Sequence, residues 1–189
     1  MLRLAIALLL LCTAAHAQDA NKRAEAEAIH FLSPCHQPTE DRQGLCEINQ
    51  TNFVDEYILA KSGDVGGMGS TALSFTPPWN EENRQEDIGY PQDQLQACAW
   101  RLVIAQLQRG TLNAPVADDL VRTACTPLSP VRAAAAEQRA DHLAQELQTS
   151  PAAAPGDDWC PRIPWIKADC SAQPSQGPLT SDPTPLSAK

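Results

Sequence analysis

The chain is short of positive charge: 14 Lys and Arg stand against 23 Asp and Glu, for a net charge of -9 and a pI near 4.8. That excludes nucleic acid and anionic lipid as partners, because both need a cationic face. Acidity here serves solubility. Long apolar runs are missing too. The longest, Leu4 to Leu11, is far below the roughly 20 residues of a membrane span, so no span is expected. There is no P-loop, no dinucleotide fingerprint, no Cys-x-x-Cys-His haem site and no EF-hand loop, so no cofactor or metal is expected. Histidine is scarce: after His16 only His30, His36 and His142 remain to serve as the base of a Ser-His-Asp or Cys-His constellation. His142, next to Asp141 on a charged helix, reads as a solvated side chain. Aromatics make up only 5% of the 189 residues, which limits the core to a modest one. No alternating strand pattern is visible, so the class is all-α.

What is present begins with a targeting signal. Met1 to Arg3 form a short basic start, Leu4 to Leu11 an apolar run, and Ala15-His16-Ala17 a small-x-small cleavage site before Gln18. Residues 1–17 are therefore expected to be a secretory signal peptide and the mature chain to be secreted or periplasmic. Cys12 after four leucines leaves a lipoprotein signal as an alternative, although Leu11 stands where such a signal needs a small residue.

Without Cys12, the cysteines are Cys35, Cys46, Cys98, Cys125, Cys160 and Cys170, an even number in an exported chain. They read as a disulfide framework. Nearest neighbours give the simplest pairing: Cys35 with Cys46, Cys98 with Cys125, and Cys160 with Cys170. A zinc site near His30 and Cys35-His36 is the rival, but the paired Cys-x-x-Cys spacing of structural zinc modules is absent.

Residues 18–150 carry helical periodicity. Residues 20–33 read as a first helix with Ala24, Ala28 and Phe31 on one face, ending at Ser33-Pro34. "TEDRQGLCEIN" reads as a disulfide-tethered loop. A second helix starts at Thr51 or Asn52 with Phe53, Tyr57, Ile58 and Ala60 as its stripe, and Gly63-Asp64 marks a turn. "VGGMGSTALSF" is a poor helix by propensity but keeps Met68, Ala72, Leu73 and Phe75 in register, its glycines allowing close approach of another helix. Residues 76–87 form a proline-started acidic surface loop. Gly89, Tyr90 and Pro91 then turn into a helix ending near Gly110, with Leu95, Ala97, Trp100, Val103, Ile104 and Leu107 inward. Residues 115–126 offer a short helix with Val116, Leu120, Val121 and Ala124 inward. Ser129 and Pro130 open a last helix lined by Ala136, Ala140, Leu143 and Leu147. Residues 151–189 form a Pro-rich, largely irregular tail, of which only "WCPRIPWIKADC" is equipped to dock. The helical domain is expected to stay folded without that tail.

Two pieces of this pattern resemble the Sel1-like repeats, relatives of the tetratricopeptide repeats. "AKSGDVGGMGSTALSF" is similar to the first helix of such a repeat, with Ala60 and the Gly63-Asp64 turn. "GYPQDQLQACAW" is similar to its turn and second helix, with Gly89, Asp93, Ala97 and Trp100 in register. The unit, about residues 53–110, covers just under a third of the chain and holds the acidic 76–87 insert, and Gly66, Gly67 and Thr71 replace residues the family usually makes Ala or Leu. A single divergent unit needs capping helices and disulfides to complete it, because repeat arrays normally stack three or more. The resemblance implies an all-α helical hairpin of the Sel1-like type, with capping helices, disulfide staples and the Pro-rich tail.

On physical grounds Trp100 fills the gap between paired helices, Ala97 lets them touch, and Asp93 caps free N–H groups. These are structural roles, so the resemblance implies a non-catalytic exported module that binds another protein, with a groove near Tyr57, Phe75 and Trp79. The alternative is a small extracytoplasmic enzyme or enzyme inhibitor acting through acidic loops, with the carboxylate pairs Glu81-Glu82, Glu86-Asp87, Asp118-Asp119 and Asp157-Asp158 in loops or at helix starts. Asn49-Gln50-Thr51 fits a glycosylation acceptor in a eukaryotic source.

Overall fold

A computed structural model describes residues 19–77, 89–156, 160 and 162–166. Six helices and no strand occur among the described residues: α1 (19–30), α2 (Glu40–Lys61), α3 (Val65–Phe75), α4 (Gln94–Gln108), α5 (Ala114–Cys125) and α6 (Pro130–Thr149). The all-α expectation holds.

The order of packing follows from which helices are apolar all round. In α4, Ala97, Cys98, Ala99 and Trp100 are consecutive and all buried, so this helix is covered on every side near its start. A helix of that kind has to sit in the middle. It does: α3, α5 and α6 each pack directly on α4, while α2 packs on α3. At the centre is an aromatic cluster. Tyr57 meets Trp100 edge to face at 5.7 Å, and Phe75 meets Phe31 at 4.9 Å and Phe53 at 5.3 Å, all T-shaped.

The α2–α3 hairpin depends on two backbone features. Gly63, at φ 95°, ends α2 in the left-handed conformation: its N–H donates to Ala60 O at 3.1 Å, and that of Asp64 to Leu59 O at 3.2 Å. Asp64 then caps α3 by accepting from Gly67 N at 2.6 Å. Close approach falls on Gly67 alone among the α3 glycines, where an added Cβ would lie 2.7 Å from Leu59 Cβ and 2.8 Å from Ala60 N.

Several sequence expectations are corrected. The loop expected over "TEDRQGLCEIN" is the start of α2, which begins at Glu40 rather than near Thr51. Thr39 is the cap, accepting from Arg42 N, and Glu40 and Asp41 meet the positive end of the helix dipole. Leu73 and Leu107, expected inside, are 64% and 52% exposed. In α5 it is Ala117 and Ala124 that face in, while Val116 is 63% exposed. In α6 the expected Ala136, Ala140 and Leu143 are buried, and Leu147 packs at their edge.

Two disulfides follow the nearest-neighbour pairing, Cys35–Cys46 and Cys98–Cys125. The first staples the segment after α1 to α2, and the second pins α5 to α4. Cys160 is also disulfide-bonded; its expected partner Cys170 lies outside the described residues.

The described part of the tail, residues 151–156 and 162–166, has no regular helix or strand but is docked: Ala152 and Ile163 are 7% and 4% exposed. The helical domain is thus not finished at Ser150, contrary to expectation, because truncation there would strip apolar cover from the core.

Two substitutions test this packing. Trp100→Ala should cost about 3–5 kcal/mol, read as a lowered melting temperature, because a wholly buried indole leaves a cavity. Gly67→Ala should destabilise by roughly 1–3 kcal/mol despite its better helix propensity, since the new methyl meets backbone; a stabilised variant would place α3 farther from α2.

Candidate functional site

Three features of the folded chain could carry function: a buried charge network, a cleft between α4 and α5, and the docked tail. The network is built where α1, α2 and α6 meet. Lys61, on the last turn of α2, is almost wholly buried. Its Nζ lies 2.9 Å from Glu27 Oε2 of α1 and 2.5 Å from Glu146 Oε2 of α6. Arg139 Nη2 pairs with Glu27 Oε1 and donates to the Tyr57 hydroxyl at 3.2 Å, while its Nε donates to Gln96 Oε1 of α4 at 3.3 Å. His142, exposed on α6, lies 3.6 Å from Glu146 Oε2.

Burial alone would raise the Glu27 pKa, but the Lys61 ammonium and Arg139 guanidinium outweigh it and hold the carboxyl below its ordinary value. Burial pushes the Tyr57 hydroxyl well above its ordinary value, and the nearby Glu27 carboxylate adds to this. Arg139 is driven the other way by burial, yet Tyr57 and Glu27 carry it above its ordinary value. Each cation thus meets a carboxylate. Lys61 spends its donors on two acids, the arrangement of a structural tie rather than of a nucleophile, which needs a free amine.

The cleft has a different character. It is an open cleft of about 490 Å³ lined by Leu102, Ala105 and Val121 together with Arg109, Asp118 and Arg122. Of the Asp118-Asp119 pair, Asp119 is tied to Arg122 on the helix surface. Away from the cleft lining, Leu112 just before α5 is 99% exposed, and Val116 and Leu120 form an exposed apolar flank along α5.

The residues singled out in the sequence have definite places. Ala60, Ala97 and Trp100 are buried, Gly63 and Asp64 form the α2–α3 turn, and Asp93 caps α4 by accepting from Leu95 N at 2.9 Å. Gly89, at φ 86°, packs so tightly on α2 that an added Cβ would lie 2.7 Å from Cys46 O. These seven cooperate in packing. The expected partner groove at Tyr57 and Phe75 is corrected, for both side chains are wholly buried in the aromatic cluster. Trp79, Glu81, Glu82, Glu86, Asp87, Asp157 and Asp158 lie outside the described residues. Cys35 is oxidised with Cys46, so it is no zinc ligand, and no cluster of three or more metal-binding side chains occurs among the described residues. Asn49, in the middle of α2, is 8% exposed and accepts from the Tyr90 hydroxyl, so the sequon is not open to glycosylation in the folded chain.

The charge network was missed by sequence reasoning, though a signal exists. Glu27, Lys61 and Arg139 each sit three or four residues from buried positions (Ala24, Tyr57 and Ala136), on helix faces that are otherwise apolar.

Glu27→Gln tests the network. Its carboxylate contributes fully above its ordinary pKa of 4.5, and that contribution is lost as pH falls through the lowered folded value. Glu56, raised by burial, shifts stability in the opposite sense, so the difference between wild type and variant is the quantity to follow. In denaturant titrations it should be roughly 1–3 kcal/mol near neutral pH, less than for a fully buried pair, and close toward pH 3. A difference that stays constant with pH would remove the ion pairs as its cause. Compared with protein-family models, curated proteins and solved structures, the chain matches none.

Proposed function

We propose that this chain is an exported, disulfide-stapled helical module that acts by binding another protein and catalyses no reaction itself. The observation that carries the reading is the apolar flank of α5. Val116 and Leu120, one helical turn apart on α5, are turned to water, Leu112 is exposed just before the helix, and none of the three lines the cleft that holds Arg109 and Arg122. Contiguous exposed aliphatic side chains beside a few charges are the make-up of a protein-binding surface. The two disulfides support an oxidising compartment, the periplasm or the cell exterior. The Sel1-like resemblance supports the same function by analogy, since such repeats act mainly as adaptors. Within that reading the unit at about residues 53–110 is a single divergent repeat capped by α1, α5 and α6.

The experiment is affinity purification of the mature chain from its own compartment, beside a Val116→Asp/Leu120→Asp variant. A stoichiometric protein should accompany the wild type and be lost from the variant at unchanged helical circular dichroism. Equal recovery from both would remove α5 as the interface, and recovery of a small molecule alone would turn the search to enzymatic activity.

A further inference from the structure

We propose that the outer face of α1 and α2 is a second recognition surface, specific for an extended segment ending in a proline turn that carries a bulky aliphatic residue and a tryptophan. The described residues 151–156 and 162–166 are its resident ligand in cis, and such a segment of a protein partner displaces them. The inference shares the protein-binding reading but rests on a surface separate from α5.

The contacts are those of a peptide being read. Ala152 N–H donates to Lys61 O at 2.9 Å, Ala153 N–H to Asn21 Oδ1 at 2.7 Å, and Arg162 N–H to Glu25 Oε1 at 2.7 Å. Pro151, Pro155 and Pro164 flank these positions and have no N–H that needs a partner. Each proline fixes its own φ before binding, which lowers the ordering cost.

Specificity lies at the end. Ile166 N–H donates to Ile163 O at 3.1 Å around Pro164 and Trp165, a β-turn with proline in its favoured second place. The turn drops Ile163 into the core and brings Trp165 Nε1 to Gln50 Oε1 at 2.9 Å. Gln50 is prepared for this. It is 1% exposed and its Nε2 is committed to Ser33 O at 2.6 Å, which points its oxygen at the indole. With the segment lifted away, that acceptor and Asn21 Oδ1 would lose these donors beside apolar surface, a cost that a new ligand relieves.

Cys35–Cys46 and Cys98–Cys125 both lie within the helical body, and Cys160 of the segment is bonded to a cysteine outside the described residues, so neither described disulfide of the body holds the segment. A tethered ligand has an effective concentration on the order of millimolar, so a free segment competes only after the resident one is weakened or when a partner adds contacts of its own.

The probe is a fluorescent synthetic peptide of residues 151–166 with serine in place of Cys160, followed by anisotropy against the full chain. It should bind an Ile163→Ala/Trp165→Ala chain at least about tenfold more tightly than the wild type, since the resident segment no longer competes. The gain should vanish when Gln50→Ala is added, and a peptide carrying Pro164→Ala and Trp165→Ala should not bind. Equal or absent binding to the double variant and the wild type, with both chains helical, overturns the proposal. Should the double variant unfold, hydrogen exchange of the wild type decides: the amides of Ala152, Ala153 and Arg162 are expected to exchange at least about tenfold faster than those of Phe53 to Ile58. Exchange of both sets together would mean that the segment leaves only on global unfolding, which also overturns it. The Val116→Asp/Leu120→Asp chain keeps this surface, so failure of the α5 interface and failure of this one are read separately.

Discussion

An ammonium group taken out of water must be matched by negative charge, and the placement of Lys61 imposes that condition on three helices at once. Its two carboxylate partners come from α1 and α6, at opposite ends of the helical sequence, and its own carbonyl receives the first docked residue of the tail. Nothing in a small alanine-lined interface fixes the rotation of one helix on another, because methyl groups pack nearly as well after a slight roll. Charged groups do not share that tolerance, since a shift of a few ångströms leaves a buried charge uncompensated. α1 buries little but Ala20, Ala24 and Ala28, and α6 little but Ala136, Ala140 and Leu143. The network therefore supplies the register that the alanine stripes cannot. Through Gln96 and Tyr57 it reaches the central helix and the aromatic cluster, so register at the periphery and packing at the centre are set together.

Those features visible in the sequence were the ones with local causes. The Gly63-Asp64 turn, the Asp93 cap and the apolar face around Trp100 each need only a few adjacent residues, and each stands where the pattern put it. Two disulfides fell to nearest neighbours because their loops are short. The start of α2 was missed because Gly44 and Cys46 resemble a tethered loop, although Thr39 with Glu40 and Asp41 is a sound start signal. The groove at Tyr57 and Phe75 was misplaced for a deeper reason: periodicity says that a residue faces an apolar partner, and whether that partner is the core or another molecule is set by the tertiary arrangement. The charge network escaped for the same reason. A charged residue within an apolar stripe looks like a break in the pattern until its partners are found on distant helices.

The exposed flank of α5 follows from a covalent constraint. Left to burial alone, α5 would turn Val116 and Leu120 toward α4, because two larger aliphatic side chains gain more from leaving water than Ala117 and Ala124 do. The Cys98–Cys125 bond forbids that roll, fixing the last turn of α5 against the second turn of α4, and the Gln94 side chain holds the Ala124 carbonyl from the same side. With its rotation fixed, α5 presents alanine inward and valine and leucine outward. The tail is the reverse case: it buries Ile163 and half-buries Trp165 without a described covalent bond to the helices beneath it. One apolar surface is thus locked open and another covered by a releasable segment, and both arrangements depend on where the cysteines were spent. The Cys98–Cys125 bond acts on α4 and α5, while the tail's hydrogen bonds described above run to α1 and α2, so the two surfaces depend on different helices although a single small core supports both.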